Sequence, residues 1–92
     1  MKYQIIQTSR FVKELRLAEK RGFNLEEIYT VIRKLKNDIP LDPKYRDHSL
    51  EGGKYKGCRE CHINPDWLLI YKKDKNNLLL HLRRTGTHSD LF

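Results

Sequence analysis

Residues 58–84 read CRECHINPDWLLIYKKDKNNLLLHLRR. Cys58–Ile63, Trp67–Lys73 and Leu78–Arg84 are rich in apolar residues, and the breaks between them, Asn64–Asp66 and Asp74–Asn77, hold Asn, Asp or Pro. Such runs predict strands and such breaks predict turns. Connections this short join antiparallel neighbours, because a parallel pair needs a crossover of a dozen or more residues. This stretch therefore predicts an antiparallel sheet at the C-terminal end of the chain.

Working back toward the N-terminus, Leu41–Gly57 reads as loop, punctuated by Pro43, Gly52, Gly53 and Gly57. Before it, Ile28, Val31, Ile32 and Leu35 recur at helical spacing, and Asn24 with Glu27 resembles a capping box. That helix ends at Asp38-Ile39-Pro40. An earlier helix is predicted over residues 10–21, capped by Ser9, striped by Phe11, Leu15 and Ala18, and stopped by Gly22. Tyr3–Thr8 reads as a first strand. The order is β-α-α-β-β-β: one α+β domain over residues 1–92, with an antiparallel helix pair packed on one face of an antiparallel sheet.

The chain has 92 residues, with 19 Lys and Arg against 12 Asp and Glu, a net charge of +7. That excess suits a polyanionic partner such as nucleic acid, although a bland alternative is that it only confers solubility. A hydrophobic share of 38% excludes a disordered tail. No run is apolar enough to span a membrane, and the polar N-terminus does not read as a secretory signal. Taking Met1 as the natural start, the expected location is the cytoplasm, where Cys58 and Cys61 stay reduced.

Cys58-Arg59-Glu60-Cys61-His62 has the Cys-x-x-Cys-His form of a c-type haem attachment site. On a strand, however, Cys58, Glu60 and His62 share one face while Arg59, Cys61 and Ile63 share the other. Cys58 and Cys61 then point apart and cannot grip one haem or one zinc ion. Cys61 reads as a small buried residue and Cys58 as a partly exposed thiol.

Polar groups recur through the C-terminal half. They are Asp47-His48 in the loop, Glu60 and His62 on a strand, Asp66-Trp67 at a hairpin, and Arg84 through His88 followed by Leu91-Phe92. Imidazole accepts and donates protons near neutral pH, arginine grips phosphate, and an aromatic ring stacks on a base. These are the parts needed to cleave a phosphodiester. The inventory alone is equally that of a binding protein. Asp47 reads as a turn cap, Trp67 reads more readily as core or cover than as a base platform, and His81 reads as exposed. Arg84 is in register with Leu78, Leu80 and Leu82, so it emerges at the sheet end or a bulge turns it out.

The segments YRDHSLEG, KGCRECHINPDWLLIYK and LRRTGTHSDLF, in this order over Tyr45–Phe92, resemble the YafQ branch of the RelE/ParE toxins of bacterial type II toxin–antitoxin systems. The N-terminal half agrees in pattern only. The resemblance implies a RelE-like fold and a ribosome-dependent endoribonuclease that cuts mRNA through the ribose 2′-hydroxyl, without a metal or other cofactor. It also implies a cognate antitoxin, and promoter DNA bound only by the toxin–antitoxin complex. The implied catalytic residues are His48, His62, Asp66, Arg84 and His88, with Glu60, Trp67 and Phe92 as substrate-binding support. In that scheme His88 and either His48 or His62 move protons, Arg84 holds the phosphate, and Asp66 orients a histidine. Cys58, Ser49 and Glu60 stand where one well-known member of the family has an aromatic, a proline and an aspartate. Two rival readings share the fold: a ParE-like gyrase inhibitor without catalysis, and an inactive nucleic-acid-binding module.

Overall fold

The computed structural model describes residues 2–92; Met1, the only methionine, lies outside the described residues. The strands expected from residues 58–84 are present as β3 (Arg59–Asn64), β4 (Trp67–Asp74) and β5 (Leu79–Gly86), paired antiparallel in sequence order. The first strand, β1 (Gln4–Gln7), pairs parallel with β5, so the sheet is mixed rather than wholly antiparallel. The hairpins set the relative directions of β3, β4 and β5. Nothing local to Tyr3–Thr8 says which of them receives β1; the helices that follow decide it by carrying the chain across the sheet. A fifth strand, β2 (His48–Ser49), lies in the expected loop and pairs antiparallel with β3. Two residues are too few to show an alternation. The strand order is β1-β5-β4-β3-β2.

The helices α1 (Ser9–Lys20) and α2 (Leu25–Lys36) cover one face. Phe11, Ala18, Ile28, Val31, Ile32 and Leu35 pack there against Cys61, Ile63, Trp67, Leu69, Tyr71, Leu80 and Leu82. The cap of α1 is Thr8, one residue before the expected Ser9: the Phe11 amide donates to its Oγ1 at 2.9 Å. Asn24 caps α2 as expected, accepting from the Glu26 amide at 3.0 Å. Gly22 ends the first helix at φ +87°, a conformation that costs glycine little.

Among the described residues, no long helix lies on the opposite face. A smaller apolar group, Cys58, Leu68, Ile70 and Leu91, with Leu50 and Tyr55 packed on it, forms its floor. Cys58 and Cys61 do belong to opposite faces. Cys58 is nevertheless buried, not partly exposed, because the segment around Leu50 and Tyr55 and the chain end fold back over it.

The chain end is a one-turn helix, α3 (His88–Leu91), closed by a reciprocal capping box between Thr87 and Asp90. Arg21, just past α1, donates to Asp90 Oδ2 at 2.7 Å. This bond first, and the Thr87 amide second, hold the Asp90 carboxyl well below the usual aspartate range. A group whose value falls on folding stabilises above its unfolded value and loses that effect as the pH drops through the folded one. In an NMR titration, the Thr87 amide should therefore stay in place through ~3.9, where ordinary aspartates protonate, and move only below it. A midpoint at the ordinary value would contradict the latch.

Candidate functional site on the open face of the sheet

The register of β5 against β4 slips by one residue: Tyr71 lies opposite Leu82 and Ile70 opposite Arg84, leaving Arg83 as the extra residue. Leu80 and Leu82 face the helices. Without the bulge Arg84 would follow them; with it, Arg84 lies beside Ile70 on the open face. Of the two routes the sequence left for Arg84, the bulge is the one found. Thr85 returns to the helix side, where its Oγ1 accepts from the Trp67 indole at 2.7 Å and donates to the Leu68 carbonyl at 2.7 Å. Thr8 fastens the bulge by donating its hydroxyl to the Arg83 carbonyl at 2.9 Å.

Arg84 is buried, at 7% exposure, and each of its three guanidinium nitrogens has a hydrogen-bond partner. Its Nε and Nη2 donate to Glu14 Oε2 of α1 at 2.9 and 2.6 Å, and Glu14 Oε1 also accepts from the Thr85 amide at 3.2 Å. The Glu14 carboxylate raises the Arg84 pKa above its usual value, so the guanidinium stays charged. The other end of the guanidinium, Nη1, donates to the Tyr55 hydroxyl, which donates in turn to the Leu91 carbonyl at 3.1 Å. The Tyr55 ring meets Phe92 edge-on at 5.5 Å, and Phe92 lies 4.9 Å from the His88 ring. Arg84, Tyr55, Phe92 and His88 thus form one connected group, with His88 and Phe92 exposed.

A second group surrounds Glu60, itself buried at 6% exposure on β3. Its Oε1 lies 3.5 Å from His48 Nε2 and 3.7 Å from His62 Nε2. The Arg46 carbonyl, 2.7 Å from His48 Nδ1, can only accept, so Nδ1 donates and Nε2 is the nitrogen turned toward Glu60. Asp47 is not a turn cap. Its carboxylate accepts from the Tyr71 hydroxyl and from Arg59 Nη2, the latter at 3.0 Å, tying the His48 segment to the sheet. Burial first, then Asp47, push the Tyr71 phenol upward, so it remains a protonated donor.

The two groups flank one floor. Glu60 and Arg84 lie on either side of Ile70, and His62 and Gly86 on either side of Leu68. With adjacent strands about 4.8 Å apart, their backbones are about 10 Å apart. His48 and His62 meet around Glu60, and only His88 approaches Arg84, through Phe92 and Tyr55. Asp66 sits exposed in the β3–β4 turn, its amide accepted by Asn64 Oδ1 at 3.0 Å. Among the described residues, no ion pair or hydrogen bond links its carboxylate to a histidine; the carboxylate that lies beside two histidines is Glu60. Trp67 is fully buried on the helix face, 5.0 Å from Phe23, and offers a ligand no surface. Glu14 and Tyr55 were not found by sequence reasoning. Glu14 reads as one charge among many on an amphipathic helix; the one signal for Tyr55 was an aromatic set between glycines.

Chemically, the open face offers imidazoles on both sides of an apolar floor, a carboxylate to support two of them, a fixed cation and an exposed ring.

A family model described as the bacterial toxin of type II toxin–antitoxin systems, YafQ, matches residues 3–92. The mRNA interferase toxin YafQ of Escherichia coli is 41% identical over 87 residues, covering 92% of this chain and 90% of that protein. The crystal structure of a metal-bound toxin from Helicobacter pylori is 44% identical, with a TM-score of 0.90 and 100% of both chains covered. The toxin in the Escherichia coli DinJ–YafQ toxin–antitoxin complex is 38% identical, with a TM-score of 0.87, covering 100% of this chain and 99% of that one. Among the described residues of the present chain, no group of three or more His, Cys, Asp or Glu side chains is arranged to hold a metal ion.

Trp67 is the only tryptophan, so fluorescence reports on it alone. Its emission should be blue-shifted, resist iodide quenching and stay unchanged when RNA is added. Quenching by either would return Trp67 to the substrate surface.

Proposed function

This chain belongs to the YafQ family of toxins from bacterial type II toxin–antitoxin systems, and we propose that it is an mRNA interferase that cuts translated mRNA on the ribosome. The observation that carries this reading is the gathering, on one uncovered sheet face, of His48 and His62 around Glu60 and of His88 and Phe92 beside Arg84.

The nucleophile is the substrate's own 2′-hydroxyl. Its oxygen bonds to the adjacent phosphorus, the bond from phosphorus to the 5′-oxygen breaks, and a 2′,3′-cyclic phosphate remains. One proton must leave the 2′-hydroxyl and one must reach the departing 5′-oxygen. Imidazole suits both tasks. His88 serves one side of the reaction, and His48 or His62 the other. Glu60 orients these two and stabilises whichever becomes imidazolium. Asp66 keeps a place at the rim, at the same end of the sheet as His62 and His88. Arg84 offsets the charge building on the phosphorane. With its Nε and Nη2 edge committed to Glu14 and one Nη1 hydrogen given to Tyr55, the second Nη1 hydrogen is the part left for the phosphate. Phe92, 55% exposed, is the stacking ring.

The partner of the neutral state is a cognate antitoxin, as in the Escherichia coli complex, whose acidic amphipathic segment would lie over basic surface of this chain. Promoter DNA is bound by that complex rather than by the toxin alone. The site of action is the cytoplasm, where mRNA is translated; no helix among the described residues is long and apolar enough to cross a membrane.

Transcript ends mapped after brief induction test the reading. The wild type should produce cuts at in-frame codons. His88→Ala should reduce them by about 10²–10⁴-fold, the usual contribution of a general acid or base. Cuts that persist unchanged in the variant would remove His88 from catalysis. Growth arrest without cuts would favour a gyrase inhibitor.

A further inference from the structure

Beside Arg84, a cavity of about 220 Å³ is lined by Arg10, Lys54, Arg83 and Arg84, with Tyr55 and Cys58 among its walls. Among the described residues, no carboxylate lines it. Neighbouring residues of a regular strand point to opposite faces. Arg83 and Arg84 reach one cavity because Arg83 is the bulged residue, fastened there by the Thr8 hydroxyl. Lys54 and Arg84 share the Tyr55 ring, their charged ends 5.2 and 6.0 Å from its centre. The nearest counter-charge, Glu14, is committed to Arg84 at 2.6 Å, with Arg10 at 3.8 Å. Lys54 and Arg83 have no ion-pair partner among the described residues. Like charges gathered without a counter-ion repel, and a bound anion relieves the repulsion.

We propose that this cavity is a second phosphate subsite, which takes the backbone phosphate of the substrate RNA next to the scissile one. The inference rests on the reading of the open face as an RNA-cleaving site. Arg84 belongs to both places, so an anion in the cavity lies one step along the strand from the phosphate that Arg84 meets on the open face. Lys54 and Arg83 hold the strand by charge and take no part in proton transfer. The subsite sets how the strand runs: it leaves the catalytic floor along β5, toward the start of α1.

The test is single-turnover cleavage on ribosomes programmed with mRNA that carries one uncharged methylphosphonate linkage, placed either side of the cut in turn. Lys54→Ala/Arg83→Ala is compared with the charge-keeping Lys54→Arg/Arg83→Lys. Both positions are exposed or half-exposed, and native circular dichroism confirms the fold of each variant. With native mRNA the alanine variant should need on the order of tenfold more enzyme for half-maximal rate, and the salt dependence of its binding should fall by about 0.7 in log–log slope for each phosphate it no longer neutralises. In the wild type a neutral linkage at one neighbouring position should cause a similar loss. In the alanine variant that linkage should cost nothing further, and the charge-keeping variant should behave as the wild type. An unchanged alanine variant overturns the subsite. So does one that loses affinity but still responds to the neutral linkage as the wild type does, because its lysine and arginine then touch ribosomal RNA rather than the substrate. A wild type that leaves native mRNA uncut overturns the underlying reading instead.

Discussion

One extra residue in β5 decides on which side of the sheet the arginine works. Arg83 interrupts the alternation that begins at Leu80 and Leu82, so Arg84 lies on the open face and Thr85 on the helix face. Each consequence is fastened separately. Thr8 holds the bulged carbonyl, Glu14 holds both the guanidinium and the Thr85 amide, and the Trp67 indole holds the Thr85 hydroxyl. A regular strand would place Arg84 with Leu80 and Leu82 on the helix side, away from Tyr55. Bulges are common next to functional sites for this reason: they re-aim a side chain without ending the sheet.

The pairing of Arg84 with Glu14 has consequences for stability as well as chemistry. Both side chains are largely buried, at 8% and 16% exposure, so removing one partner would leave an uncompensated charge, costing about 3–5 kcal/mol. That is a large part of the 5–15 kcal/mol, roughly, that holds a domain together. The same pairing orders the guanidinium before any substrate arrives. One edge is spent on α1, and the other points through Tyr55 toward the chain end. An arginine held this way meets a phosphate with little further loss of side-chain entropy.

The remaining groups come from segments with little regular structure, and each is tied down by a charged anchor. Asp47, next to His48, is gripped by Arg59 and Tyr71. Asp90, two residues after His88, is gripped by Arg21. In both cases the anchor is not itself a histidine, and it places an imidazole that neither a two-residue strand nor a one-turn helix could place alone. Gly86 completes the second anchor, since a Cβ there would come within 3.0 Å of the Asp90 side chain. The open face is thus assembled from long-range ion pairs around an apolar floor of Leu68 and Ile70.

Most of the fold was legible in the sequence, because it follows from local rules. Helical spacing marked Ile28, Val31, Ile32 and Leu35, all buried, and the Asn-Pro-Asp and Asp–Asn breaks marked both hairpins. Alternation alone put Cys58 and Cys61 on opposite faces and so dismissed the Cys-x-x-Cys-His motif as a shared ligand pair. The site was legible as an inventory of residue types and, by resemblance, as a family. Its arrangement was not. The parallel seat of β1, the strand at His48, the burial of Cys58 and Trp67, the nearness of Glu60 rather than Asp66 to the histidines, and the contacts of Glu14 and Tyr55 with Arg84 all depend on groups far apart in the chain. Periodicity and turn chemistry act over a few residues, and a sequence displays them directly. Which carboxylate meets which cation is settled only when packing brings distant segments within a few ångströms, and no local pattern encodes that meeting.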